Sequence, residues 1–180
     1  MSEMFDFGAG PVPAHRHAKG RGWVADTAHV DETVYVGPDA QVYGNAQVSG
    51  NAQVYGNAQV SGNARVYGDA QVYGNARVSG NARVYGNARV YGDAWVYGNA
   101  WVGGDAKLSK TTDYLVIGPI GSREAFMTWT RSDGCIATGC FLGTIKKFLS
   151  AVNTTHGDNA HAKAYRAAVR LIHAMEKAHG

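Results

Sequence analysis

The sequence predicts a mainly β protein: a stack of short parallel strands over residues 23–112, followed by a small α+β module. Three observations predict this. A six-residue unit recurs fifteen times from Val24 without insertion, as in Val66-Tyr-Gly-Asp-Ala-Gln and Val78-Ser-Gly-Asn-Ala-Arg. Eleven of the 24 glycines, Gly44 to Gly104, follow that period, so their abundance reads as turns and not as disorder. After residue 112 the period stops, and ordinary strand and helix patterns replace it. The chain therefore divides into an N-terminal cap or loop (1–22), the repeat body (23–112) and a C-terminal module of three strands and two helices (113–180).

Residues 1–22 contain Gly8-Ala-Gly-Pro-Val-Pro and Ala14-His-Arg-His-Ala-Lys-Gly-Arg-Gly. Glycine and proline at this density predict an ordered cap with no regular element. His15 and His17 form a His-x-His pair, which holds a metal only if a third ligand converges on it. No metal site is expected. Gly8-Ala-Gly lacks a following Gly-Lys-Ser/Thr, so it is not a phosphate loop.

In the repeat body the first position is Val from Val24 to Val102, then Leu108. Four residues later stands a small residue, nearly always Ala, with Val34 and Thr112 as departures. Valine is β-branched and stiff, which suits an extended segment. Ala lies two residues before the next Val, so both point to one face of a strand. Gly followed by Asn or Asp tolerates positive φ and turns the chain between strands. One unit cannot bury its Ala/Val face alone, whereas stacked units can.

The pattern resembles the hexapeptide repeat of left-handed parallel β-helix proteins, the superfamily named for bacterial acyltransferases. Its unit is aliphatic–Gly–x–x–small–x; here the aliphatic and small positions stand and Gly moves to the third place. The resemblance implies three units per triangular coil, about five coils, and a prism roughly 24 Å long. Residues eighteen apart then lie above one another. Tyr55, Tyr73 and Tyr91 form one ladder, Arg65 and Arg83 another, and Trp95 and Trp101 fall on the late coils. Such rows stabilise sheets; Tyr, Trp and Arg are also the residues of subunit and ligand surfaces.

In the tail, Tyr114-Leu-Val-Ile-Gly-Pro-Ile, Glu124-Ala-Phe-Met-Thr-Trp-Thr-Arg and Cys135-Ile-Ala-Thr-Gly-Cys-Phe read as strands. Cys135 and Cys140 are expected on opposite faces of the third, as small buried hydrophobes. Thr144 reads as a helix N-cap, with Ile145, Phe148, Leu149 and Val152 at helical spacing behind it. Gly157 ends that helix, and Asp158 or Asn159 caps the next, whose stripe is His161, Tyr165, Ala168, Ile172 and Met175. Ile117-Gly-Pro-Ile-Gly-Ser-Arg, Gly139-Cys-Phe-x-Gly-Thr and His156-Gly-Asp-Asn are similar to the tails of phage and prophage hexapeptide-repeat proteins of unassigned function.

Formal charge is +3 but uneven: residues 109–180 hold 9 Lys/Arg against 5 Asp/Glu. The tail is the place to expect an anionic partner. Ser122 and Arg123, beside Gly118 and Gly121, can form an anion nest, the plainer reading being a hairpin turn. Arg131, Lys146, His156, Asn159, His161 and Tyr165 complete the candidate ligand-binding set.

The resemblance also implies an acyltransferase alternative, with a His general base and coenzyme A bound between subunits of a trimer. Against it, the repeats carry one histidine, His29, and no inserted loop. Catalytic residues and cofactors are therefore expected to be none. No apolar run suits a membrane span and no secretion signal is visible, so a cytoplasmic location (host cytoplasm if phage-encoded) is expected. Nucleic acid is not the expected partner, because no groove-reading motif or stacking platform accompanies the basic tail. The leading expectation is a non-catalytic homotrimeric scaffold whose basic tails bind or sequester a small anionic, nucleotide-like ligand or a host protein. A structural component of a phage particle is the further alternative.

Overall fold

A computed structural model describes residues 3–178. The hexads form a β-solenoid of about five turns. Each hexad contributes a two-residue strand ending on the Val, from His29–Val30 to Lys107–Leu108. Strands eighteen residues apart pair in parallel, as Arg65↔Arg83 and Val66↔Val84 do. Three sheets result, one for each side of the coil. Every Val from Val34 to Val102 is buried, with Leu108 behind them and the Ala of each hexad from Ala40 to Ala106 beside them. The core is thus a column of Ala and Val with no larger residue until Leu108 and Tyr114.

Corners are fixed by backbone geometry. Gly62 has φ +66°, and a Cβ there would lie 3.0 Å from the backbone nitrogen of Gly80 in the next coil. Only glycine meets both demands. Asparagines beside these glycines form ladders. Asn63 Nδ2 donates to Asn81 Oδ1 at 3.3 Å, and Asn81 Nδ2 to Asn99 Oδ1 at 3.2 Å.

The stack has a direction. Each coil donates backbone N–H groups to carbonyls of the next, as Arg83 N does to Ala100 O at 2.8 Å. The first coil is left with orphan carbonyls and the last with orphan N–H groups, and both must be satisfied. At the first coil His17 Nε2 donates to Val34 O at 2.9 Å, Lys19 Nζ to Thr33 O at 2.9 Å and Arg16 Nη1 to Pro38 O at 3.2 Å. At the last coil oxygens arrive from the tail. Trp95 N donates to Thr111 Oγ1, Tyr97 N to the Tyr114 hydroxyl, Trp101 N to Thr128 Oγ1 and Lys107 N to Ser132 Oγ.

Within the N-terminal cap, residues 3–22 carry regular strands where none is expected. Glu3–Asp6 and Pro11–Arg16 form an antiparallel hairpin that extends one solenoid sheet through Trp23–Ala25. The Gly/Pro cluster makes its turn, and Pro11 and Pro13 precede the three residues of that strand, Ala14 to Arg16, that pair with Trp23–Ala25, so proline costs no ladder bond there.

The C-terminal module also differs in one element. Phe141–Thr144 is a fourth strand, beside Tyr114–Ile120, Ala125–Thr130 and Cys135–Thr138. Cys140 consequently lies in the turn between the last two strands and is exposed, while Cys135 lies in the strand and is partly buried. The two are not opposite faces of one strand. Helices α1 (Ile145–His156) and α2 (Ala160–Ala178) cover one sheet face. Met127, Trp129 and Ile136 point to them; Tyr114 joins the solenoid core from the other face, and Val116 packs against that core. The sheet is therefore a lid on the solenoid's open end. Thr144 caps α1 through Lys147 N, and Asn159 caps α2 through Ala162 N. Arg166 ties the helix junction through Asp158, Asn153 Oδ1 and Gly157 O. Among the described residues no helix is long and apolar enough to cross a membrane.

Candidate functional site

A cavity lies in the module, between the sheet and the helix pair. It measures about 240 Å³ and opens at the end of the sheet that carries two turns. Gly121–Glu124 is the turn between the first two strands, and Gly139–Cys140 joins the last two. Ser122 and Arg123 come from the first turn, Cys140 from the second, Thr155 and His156 from the end of α1, and Tyr165 from α2. The four candidates Ser122, Arg123, His156 and Tyr165 are thus brought together from three separate stretches.

Packing fixes them. Tyr165 is only 8% exposed, and a side chain at Gly121 would collide with its hydroxyl, so the turn must be glycine there. Phe148 stands edge-on to the Tyr165 ring at 5.3 Å, and His156 lies 5.9 Å away on it. Arg123 Nη1 lies 3.8 Å from Cys140 Sγ, its only polar side-chain contact among the described residues, and no carboxylate pairs with it. The Tyr165 hydroxyl and the side chains of Ser122 and His156 make no hydrogen bond among the described residues. A guanidinium, two hydroxyls and an imidazole thus surround one space without spending their polar atoms on each other. Such a set can receive an anion, because charged acceptors form the stronger hydrogen bonds with these donors.

Other candidates are placed differently. His161 is exposed on α2, its ring 5.8 Å from His156 at the edge of the site, so it is not part of a buried stripe. Asn159 serves as the α2 cap. Lys146 is exposed on α1 and lies outside this cavity. Arg131 also lies outside it, with its guanidinium 5.6 Å from the Trp129 ring centroid and Nη2 buried without a partner. Beyond the candidate set, Thr155, Cys140 and Phe148 line the cavity. Helical spacing held a signal for Thr155, since Phe148, Val152 and Thr155 extend the α1 stripe toward His156.

On the solenoid, Tyr55, Tyr73 and Tyr91 stack at 4.9 and 5.2 Å. Burial raises the Tyr55 hydroxyl pKa, with Tyr73 adding to the effect. Arg65 and Arg83 lie side by side on adjacent coils, and the Arg83 guanidinium sits 4.5 Å over the Trp101 ring. Trp95 is 47% exposed, packs on Tyr97 and donates Nε1 to Ser79 Oγ. The cap histidines have separate partners. His15 Nδ1 lies 2.8 Å from Asp26 Oδ1, while His17 is buried against Val34 O. His29 is exposed, 3.2 Å from Asp31. Among the described residues no three His, Cys, Asp or Glu side chains cluster to hold a metal ion.

A family model described as YdcK beta solenoid repeat matches residues 40–56, 58–74, 70–86, 82–98 and 88–104. Those stretches lie wholly within the solenoid, so this likeness concerns the scaffold and not the cap or the module. No curated protein and no solved structure matches the chain.

Proposed function

We propose that this chain is a non-catalytic β-solenoid scaffold whose C-terminal module binds a small anionic, nucleotide-like ligand. One observation carries the reading. Ser122, Arg123, His156 and Tyr165 converge on one cavity of about 240 Å³ with no side-chain hydrogen bond among them, and the Arg123 guanidinium contacts only Cys140 Sγ among the described residues. The uneven charge supports it, since 9 of the 17 Lys/Arg lie in residues 109–180. The solenoid matches a repeat family and contributes a rigid support. Its aromatic rows, the half-buried Tyr55–Tyr73–Tyr91 and the exposed Trp95 with Tyr97, suit association of copies into a homotrimer. The finer placement, among phage-encoded hexapeptide-repeat β-helices acting in a host cytoplasm, rests on the hexad pattern and the tail motifs.

Calorimetric titration with a panel of nucleotides tests the ligand. Arg123→Ala is expected to weaken binding by roughly tenfold to a hundredfold, the worth of a charge-assisted hydrogen bond. Titrations without heat for every nucleotide sink the reading. Light scattering tests the assembly, and a monomer at all concentrations removes the trimer from it.

A further inference from the structure

A second cavity, of about 260 Å³, lies between the last solenoid coils and the module lid. Arg83, Asn99 and Trp101 line it from the solenoid, and Ala125, Phe126 and Gly139 from the lid. Ala125 and Gly139 also line the module cavity, and a Cβ built on Gly139 would lie 3.7 Å from Arg123 Nη1, so the two spaces flank the same end of the sheet. Either volume alone falls below the ~300–1,000 Å³ of ordinary ligand sites, so a ligand of ordinary size would have to draw on both.

The chemistry of the second space is aromatic. Arg83 covers one face of Trp101 at 4.5 Å and holds the indole in place. Phe126 stands on the lid face that meets the solenoid, two residues from Thr128, which accepts from Trp101 N at 2.8 Å. The Phe126 ring has no aromatic partner among the described residues. Asn99 ends its asparagine ladder. Its Oδ1 accepts from Asn81 Nδ2 at 3.2 Å, which leaves its own Nδ2 as a donor with no acceptor among the described residues. Two ring surfaces and one fixed amide donor are what a planar heterocycle needs: stacking for affinity and a hydrogen bond at the ring edge.

We infer that the junction slot takes the base of a nucleotide whose phosphate lies at Arg123 in the module cavity. Trp101 and Phe126 stack on the base, and Asn99 donates to its edge. This inference rests on the reading of the module cavity as an anion site, and it adds the solenoid as half of the binding site.

The test uses the full chain and five probes: the four ribonucleoside 5′-monophosphates and ribose 5-phosphate, which carries the anion without a base. At least one nucleotide is expected to bind roughly tenfold or more tighter than ribose 5-phosphate, the increment a stacked base supplies. Trp101→Gln places in this column the residue found at Gln47, three coils earlier, so the stack accepts it. That variant is expected to remove the nucleotide's advantage and leave ribose 5-phosphate binding unchanged. Asn99→Ala is expected to weaken nucleotides alone, by a smaller factor, and Arg123→Ala to weaken all five probes. Equal binding of ribose 5-phosphate and every nucleotide, sensitive only to Arg123→Ala, overturns the base slot and leaves the anion site standing. Loss of all five probes in Trp101→Gln, with an unchanged unfolding temperature, also overturns the slot. Silence from every probe in the unaltered protein overturns both.

Discussion

Core side chains in the solenoid are Val and Ala coil after coil, whereas the module core is assembled from Met127, Trp129, Ile136, Phe148, Tyr165 and Ile172. The first is a column in which each coil touches only its neighbours. The second is a single fit among strands and helices distant in sequence. This difference decides where a site can form. A regular stack presents the same row of side chains on every coil, and the concavities lie toward its two ends, near the cap and against the module. Both cavities argued for above need the irregular module, either alone or against the last coils. The solenoid contributes position, and the module contributes shape.

Four substitutions sharpen or break this contrast. Trp129→Ala should have the largest effect, about 3–5 kcal/mol, because it empties the centre of the one-piece core. Hydrogen exchange should then show the module opening while solenoid amides stay protected; equal loss of protection in both would break the contrast. Val72→Ala, in the middle of the stack, should cost about 2 kcal/mol, its lost methyl groups plus a small cavity, as read by chemical denaturation. Gly62→Ala should cost about 1–2 kcal/mol, because alanine must hold φ near +66° against the next coil. An unchanged denaturation midpoint for that variant would show that corners yield more readily than the backbone contacts allow.

Tyr114→Phe should have the smallest effect near neutral pH, about 1 kcal/mol for the lost hydroxyl bonds to Tyr97 N and Trp95 O. Its signature lies at high pH. Burial pushes the Tyr114 hydroxyl up to about 12, whereas an unfolded tyrosine ionises near ~10. Below pH ~10 both states are neutral and the stabilisation is complete. Between pH ~10 and ~12 only the unfolded state releases its proton, so stability falls as pH rises. Tyr85 is raised in the same direction, again chiefly by burial. Tyr114→Phe should therefore lessen the alkaline decline in unfolding free energy without removing it; an identical decline would sever the lid from the solenoid's stability.

The same contrast governs what the sequence discloses. A hexad states its inward face, its corner and its period within six residues, so register, the buried Val and Ala positions and the ladders of Tyr55 and Arg65 follow from counting. The caps of α1 and α2 at Thr144 and Asn159 are local signals of the same kind. The hairpin of residues 3–16 is hidden by its own Gly/Pro content, because Pro11 and Pro13 fall where that strand has not yet begun to pair with Trp23–Ala25. Phe141–Thr144 is too short to show an alternation of its own before the helix cap begins. In the site, the chemistry of Ser122, Arg123, His156 and Tyr165 was legible, but not the neighbours. Cys140 and Phe148 reach the cavity only because the helix pair docks at one angle on the sheet. Arg131 and Lys146 carry the right charge and lie on other surfaces for the same reason. The junction slot joins residues 83–101 to residues 125–139, a pairing that no local pattern encodes.

Three sheets per coil make the solenoid a spiral stair on which the lid is the landing. Adding or deleting three hexads moves the landing by one storey and leaves it facing the same way. Adding or deleting one turns it by a third of a revolution, which carries the Arg83–Trp101 row away from Gly139 and places a different row beneath the lid. Height is therefore free to vary in this architecture, whereas phase is not: lengths that keep the Arg83–Trp101 row beside Gly139 come only in whole turns.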